Sequence, residues 1–216
     1  MNIITEDNLT RIIPKLSSNT DISQESTDIC ENIARFNEIN KKLNNNCSNC
    51  NCDNFDKTLS KCIPNGSLNK NIMFIDAFPT EYETFTGALT DEKGFLLNEA
   101  LKNCKINRDD IYCTNIIKCY NIKCITEQHV RNCSSNYLSK EFKIVKPKKT
   151  IFTYSAFQAG LKYKIINHTG LINYFTKTNA VIYDIETELY IVYDIDSLAT
   201  PAQRQSFITG MQSIIK

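Results

Sequence analysis

Four of the ten cysteines in this 216-residue chain are spaced to close a metal site. Cys47 and Cys50 form a C-x2-C pair, and Cys119 and Cys133 follow about seventy residues later, fourteen positions apart. Four thiolates can hold zinc tetrahedrally or a 4Fe–4S cluster. A zinc ribbon brings its second pair as another C-x2-C. Here the second pair is split and Cys119 closes an apolar run, which points to an iron–sulfur cluster wedged between a loop and a helix, with zinc as the alternative. By spacing alone Cys52, Cys62 or Cys124 can replace one ligand. Cys104 and Cys113 fall on a helix and a strand, where a thiol serves as a small core hydrophobe.

A second group that could do chemistry is basic. Lys146, Lys148 and Lys149 cluster behind Lys143, and Lys118 and Lys123 lie upstream; such residues can touch phosphate. Any polyanion site must be a local patch, because the net charge is only +1. The two histidines, His129 and His168, are expected at the surface. The chain opens without a basic segment followed by an apolar run, and no run of eighteen apolar residues occurs, so neither a secretory leader nor a membrane span is expected. That places the cysteines in a reducing intracellular compartment, where metal ligands and core thiols outnumber disulfides.

The elements that must position these groups follow from hydrophobic period. Ile29, Ile33, Phe36, Ile39 and Leu43 share one face of an amphipathic helix, which either packs on the main domain or docks a partner protein. Residues 1–46 form this N-terminal helical extension and 47–216 the main domain. Strands are predicted at 72–75, 111–117 and 150–154, with apolar runs near 171–175, 180–185 and 189–193. Helices are predicted around 94–101, over 126–142, over 155–161 with Gly160 as its stop, and from Pro201 to the end. Strands alternating with helices predict an α/β fold, a three-layer α/β/α sandwich around a mainly parallel sheet. Ligands of such sheets sit at the carboxyl ends of the strands, here segments 76–90, 115–124, 154–160 and 194–200.

In order behind the C-x2-C pair come Ile72-Met73-Phe74-Ile75, a loop at Pro79, Gly94-Phe95-Leu96-Leu97, the run from Ile111 to Cys119, a helix carrying Cys133, and Lys146-Pro147-Lys148-Lys149. This order resembles the iron–sulfur (family 4 type) uracil-DNA glycosylases over roughly residues 47–216. The resemblance implies the uracil-DNA glycosylase fold and Cys47, Cys50, Cys119 and Cys133 as cluster ligands. It also implies roles at the site. Asn115 matches the amide that reads a flipped base, and Glu83 the second acid of the first motif. Phe78 stands beside Pro79 as the other base-facing candidate.

Other positions depart from the pattern. The motif's first acid falls on Ala77, with Asp76 one residue early; Thr80 replaces a glycine, and Thr90 stands near the stacking phenylalanine, for which Phe85 is the substitute. The final loop lacks its histidine and carries Asp194 and Asp196, which repel phosphate. Asp76, Glu83, Asn115 and Asp194 are thus the catalytic candidates. The retained scaffold and altered site predict a binding or assembly module in DNA replication, transcription or repair, of a virus or phage. DNA, or a protein held by the N-terminal helix or the 194–200 loop, is the expected partner. The alternatives are an active glycosylase with a remodelled pocket and a structural subunit that touches no nucleic acid.

Overall fold

The computed structural model describes residues 31–41, 61–68, 71–120, 126–168 and 172–216. Cys47, Cys50, Cys52, Cys124, Ile29, Leu43 and Lys123 lie outside them.

One six-stranded sheet organises the chain. Its strands are β1 (Asn65–Gly66), β2 (Ile72–Asp76), β3 (Tyr112–Asn115), β4 (Lys149–Thr153), β5 (Thr178–Ile182) and β6 (Ile185–Val192), in spatial order β1-β3-β2-β4-β6-β5. The four central strands are parallel, and β1 and β5 add antiparallel at the two edges. The described helices are α1 (31–41), α2 (Glu83–Thr86), α3 (Glu92–Asn103), α4 (Glu127–Cys133), α5 (Ser139–Val145), α6 (Tyr154–Lys162) and α7 (Pro201–Ile215).

The strands are apolar on both faces because both are covered. Met73, Ile75, Tyr112, Phe152 and Ile191 pack in one core with residues of α1, α4, α5 and α6. Their neighbours Phe74, Cys113, Ile151, Tyr190 and Val192 pack in a second core with α3 and α7. This period-two division is that of a three-layer α/β/α sandwich. Helix α1 belongs to the first core through Phe36 and Ile39, and the Phe36 ring meets Tyr112 edge-on at 6.1 Å.

Several expectations are corrected in detail. The helix expected over 126–142 is α4 and α5 joined by a π-helical stretch, Ser134–Leu138. His129 is buried, not at the surface, and its Nδ1 accepts the Thr126 N–H at 3.0 Å, closing the start of α4; His168 is half-buried. Gly160 lies inside α6 instead of ending it, since a Cβ there would stand 2.6 Å from Ile166 Cδ1. Residues 172–175 form no strand, while the other two apolar runs make the β5–β6 hairpin. Its turn residues Tyr183 and Asp184 both take positive φ, as a two-residue hairpin turn requires. No helix of the described residues is long and apolar enough to cross a membrane.

Candidate functional site at the strand carboxyl ends

Parallel register brings distant residues to one edge. Asp76 at the end of β2 pairs with Asn115 at the end of β3, and Thr153 of β4 pairs with Val192 of β6. Beyond those ends lies a cavity of about 740 Å³ whose lining includes Asp76, Phe78, Lys93, Tyr120, Ser155, Asp194 and Asp196. All four predicted strand-end segments therefore contribute to one opening; from 115–124, Tyr120 reaches it while Asn115 does not line it.

Two of the predicted acids are held by a lysine that sequence reasoning overlooked. Lys93 Nζ lies 2.5 Å from Asp76 Oδ2 and 3.6 Å from Glu83 Oε2. Asp76 Oδ1 accepts the Ala77 N–H and the Thr153 hydroxyl, each at 2.8 Å. Glu83 is fully buried; it accepts the Thr80 N–H at 2.6 Å and the Leu89 N–H. Burial pushes the Glu83 carboxyl upward, against the pull of Lys93 and the two amides. Burial works against the Lys93 charge too, but Asp76 and Glu83 outweigh it and hold the ammonium well above the ordinary lysine value.

Local structure explains this arrangement. Asp91 caps α3 by accepting the Lys93 and Gly94 N–H groups, and Thr80 donates its hydroxyl to the same carboxylate at 2.9 Å. Gly94 lets the helix start close against the loop, since a Cβ there would stand 2.1 Å from Leu89 O. A signal for Lys93 did exist: a cation in the first turn of a helix opposes the macrodipole, so it needs another partner.

The 194–200 loop is tied in the same manner. Both Asp194 oxygens are engaged by Ser155, one by its N–H and one by its hydroxyl, each at 2.8 Å. The carboxylate thus occupies the start of α6, where helix N–H groups favour an anion. Asp196 is exposed at the cavity. Phe78, Tyr82 and Phe85, which are 38%, 56% and 74% exposed, supply an aromatic wall. Phe78 and Phe85 were anticipated there; Tyr82 and Tyr120 were not, because nothing in a polar Glu-Tyr-Glu or a lone tyrosine signals a cavity wall.

Asn115 is 1% exposed. Its Oδ1 accepts the Cys62 thiol at 3.3 Å, while its Nδ2 has no acceptor among the described residues. Burial, then Glu83, pushes the Cys62 thiol far up.

Cys119 and Cys133 are both buried, Cys133 within the first core. Cys119 bridges Lys61, and Cys62 N donates to Lys118 O at 2.7 Å, so the chain that resumes at residue 61 runs beside Cys119. Among the described residues no three His, Cys, Asp or Glu gather to hold a metal.

The lysines lie elsewhere. Lys149 begins β4, at the far end of the sheet from the cavity, and its Nζ donates to Ile214 O at 2.7 Å; Lys146 and Lys148 are exposed beside it. Four residues of strand separate Lys149 from the cavity end, about 13 Å. Lys118 is not a surface cation at all: it is buried against Glu141 Oε1 at 2.7 Å.

Comparison with known proteins agrees with this architecture. The family model for the uracil DNA glycosylase superfamily matches residues 63–205. No curated protein matches the chain.

Proposed function

Because the chain belongs to the uracil DNA glycosylase superfamily, we propose that it is a base-excision fold turned into a binding or assembly module, working in DNA replication, transcription or repair of a virus or phage. The observation that carries this reading is Lys93. An acid that activates water needs a free oxygen near the reacting carbon. Asp76 instead spends both oxygens on Lys93, Ala77 and Thr153, and Glu83 is sealed by two amides and the same lysine. Asp194 is oriented by Ser155, which gives one hydrogen bond to each of its oxygens. The family's strand-end machinery has become internal scaffolding.

Uracil-containing single- and double-stranded oligonucleotides, incubated with excess protein and then treated with alkali, test the proposal. Intact strands are the expected result. Cleavage that disappears in Asn115→Ala overturns it and favours the second reading, an active glycosylase with a remodelled pocket. That reading draws on the buried Asn115 amide without an acceptor and on the exposed Asp196.

The proposal includes a 4Fe–4S cluster held by Cys47, Cys50, Cys119 and Cys133, with zinc as the alternative. Its support is placement. Helix α1 ends six residues before Cys47 and packs in the core that contains Cys133, and the chain resumes beside Cys119. One end of the 42–60 stretch is therefore anchored beside Cys119, and the other leaves a helix that packs in the same core as Cys133. When bound, the metal group would supply a cross-link between these segments. Anaerobically purified protein should be brown with a broad visible absorbance; colourless protein with stoichiometric zinc selects the alternative.

A further inference from the structure

The cavity has a chemistry that neither a uracil pocket nor a phosphate groove needs. Of the seven large apolar side chains exposed among the described residues, Phe78, Tyr82 and Phe85 line it, which marks it as a binding site rather than a crevice. Two more, Tyr154 and Tyr174, extend the same surface. Their rings are 5.9 Å apart, and Tyr174 stacks at 4.2 Å on Tyr193, the neighbour of Asp194. The Tyr174–Tyr193 contact brings the aromatic rim to the acidic loop, since Tyr193 adjoins Asp194, and burial, then Tyr154, Asp194 and Tyr193, pushes the Tyr174 phenol up.

Aromatic faces accept nucleobases and cations alike; charge decides between them. Among the described residues the only cation lining the cavity is Lys93, which is buried and already held by two carboxylates. The other charged side chains that line it, apart from Asp76, are Glu81, Asp194 and Asp196, all acidic. Among the described lining residues a phosphate backbone would meet carboxylates and no unpaired cation. A guanidinium or ammonium would meet ring faces and carboxylates together.

We infer that this cavity binds a basic segment of a partner protein, whose arginine or lysine enters between Phe78, Tyr82 and Phe85 and the carboxylates of Glu81, Asp194 and Asp196. Ser155 leaves each Asp194 oxygen a second lone pair, so the carboxylate can still accept from a guanidinium. A volume of about 740 Å³ and the aromatic surface running on to Tyr174 exceed one side chain, so the ligand is a segment of several residues. The inference rests on the proposal above, since a base-excising site would have to admit DNA.

Fluorescence anisotropy on the full chain tests it. The probe is a short fluorescein-labelled peptide alternating arginine and glycine; the comparators are its glutamate counterpart and a single-stranded oligothymidylate. The basic peptide should bind and the other two should not. The double variant Glu81→Lys with Asp196→Lys should weaken the peptide about tenfold or more. Tyr82→Ala with Phe85→Ala, which removes no charge, should weaken it several-fold. Glu186→Lys, an equal kind of charge change on the distant β5–β6 hairpin, should leave it unchanged.

No peptide binding, tighter binding of oligothymidylate than of peptide, or equal weakening by Glu186→Lys each overturns the inference. The excision assay fails separately: strand cleavage sinks the proposed function whatever the peptide does, and intact strands without peptide binding sink only the inference.

Discussion

Among the described residues two lysines are buried against carboxylates, one in each layer. Lys118 contacts Glu141 and the Thr114 hydroxyl, and Thr114 in turn donates to Glu141 Oε2 at 2.7 Å; none of the three side chains reaches solvent. Lys93 contacts Asp76 and Glu83 with its side chain 9% exposed at the cavity wall. The chemistry is the same, but the surroundings differ. The first ties the end of β3 to α5 inside a closed core and is structural. The second lies at the strand carboxyl ends, beside the cavity. Comparing them teaches that charge burial alone marks no functional site; location at a topological edge with a cavity does.

The comparison breaks most readily at the sealed pair. Lys118→Met leaves Glu141 buried without its cation and should cost about 3–5 kcal/mol in denaturant unfolding. A cost below that of Lys93→Met would mean the two sites have been ranked in the wrong order. Lys93→Met should cost less, about 2 kcal/mol, because Asp76 and Glu83 keep other donors and the cavity admits water.

Alkaline pH sharpens the contrast. Lys93 is held above its usual value, burial raises Tyr112, burial raises Tyr183 to about 12, and burial followed by Glu188 raises Tyr190 to about 12. The folded chain thus keeps protons that the unfolded chain releases from about pH 10 upward. Stability should hold below that pH and fall as pH rises through the folded values, with a shallower fall in Lys93→Met. A melting temperature flat from pH 9 to 12 would contradict this. The smallest effect is expected at Phe85→Ala, within about 0.5 kcal/mol in unfolding because the ring is 74% exposed; a larger loss would make Phe85 a packing residue rather than a ligand contact.

Much of the scaffold was legible in the sequence. Ile72–Ile75, 111–117 and 150–154 read as strands because short β-branched and aromatic runs bounded by turn residues have few alternatives. Pro201 at the start of α7 was equally plain: Thr200 and Gln203 form the capping box there. The strand-end rule led to the right edge of the sheet. Individual roles were less legible. Asp76, one residue early in the motif, proved to be an anchor for Lys93, seventeen positions away. The His129 side chain, read as exposed, is spent on a helix start.

The sequence by itself determined the order of elements, the parallel sheet and the family, because period and turn chemistry act over a few residues. Tertiary structure alone decided which charges meet. Asp194 finds Ser155 across thirty-nine positions, and Lys118 finds Glu141 only once α5 packs on the end of β3. Burial and partnership arise between elements, so no local pattern records them.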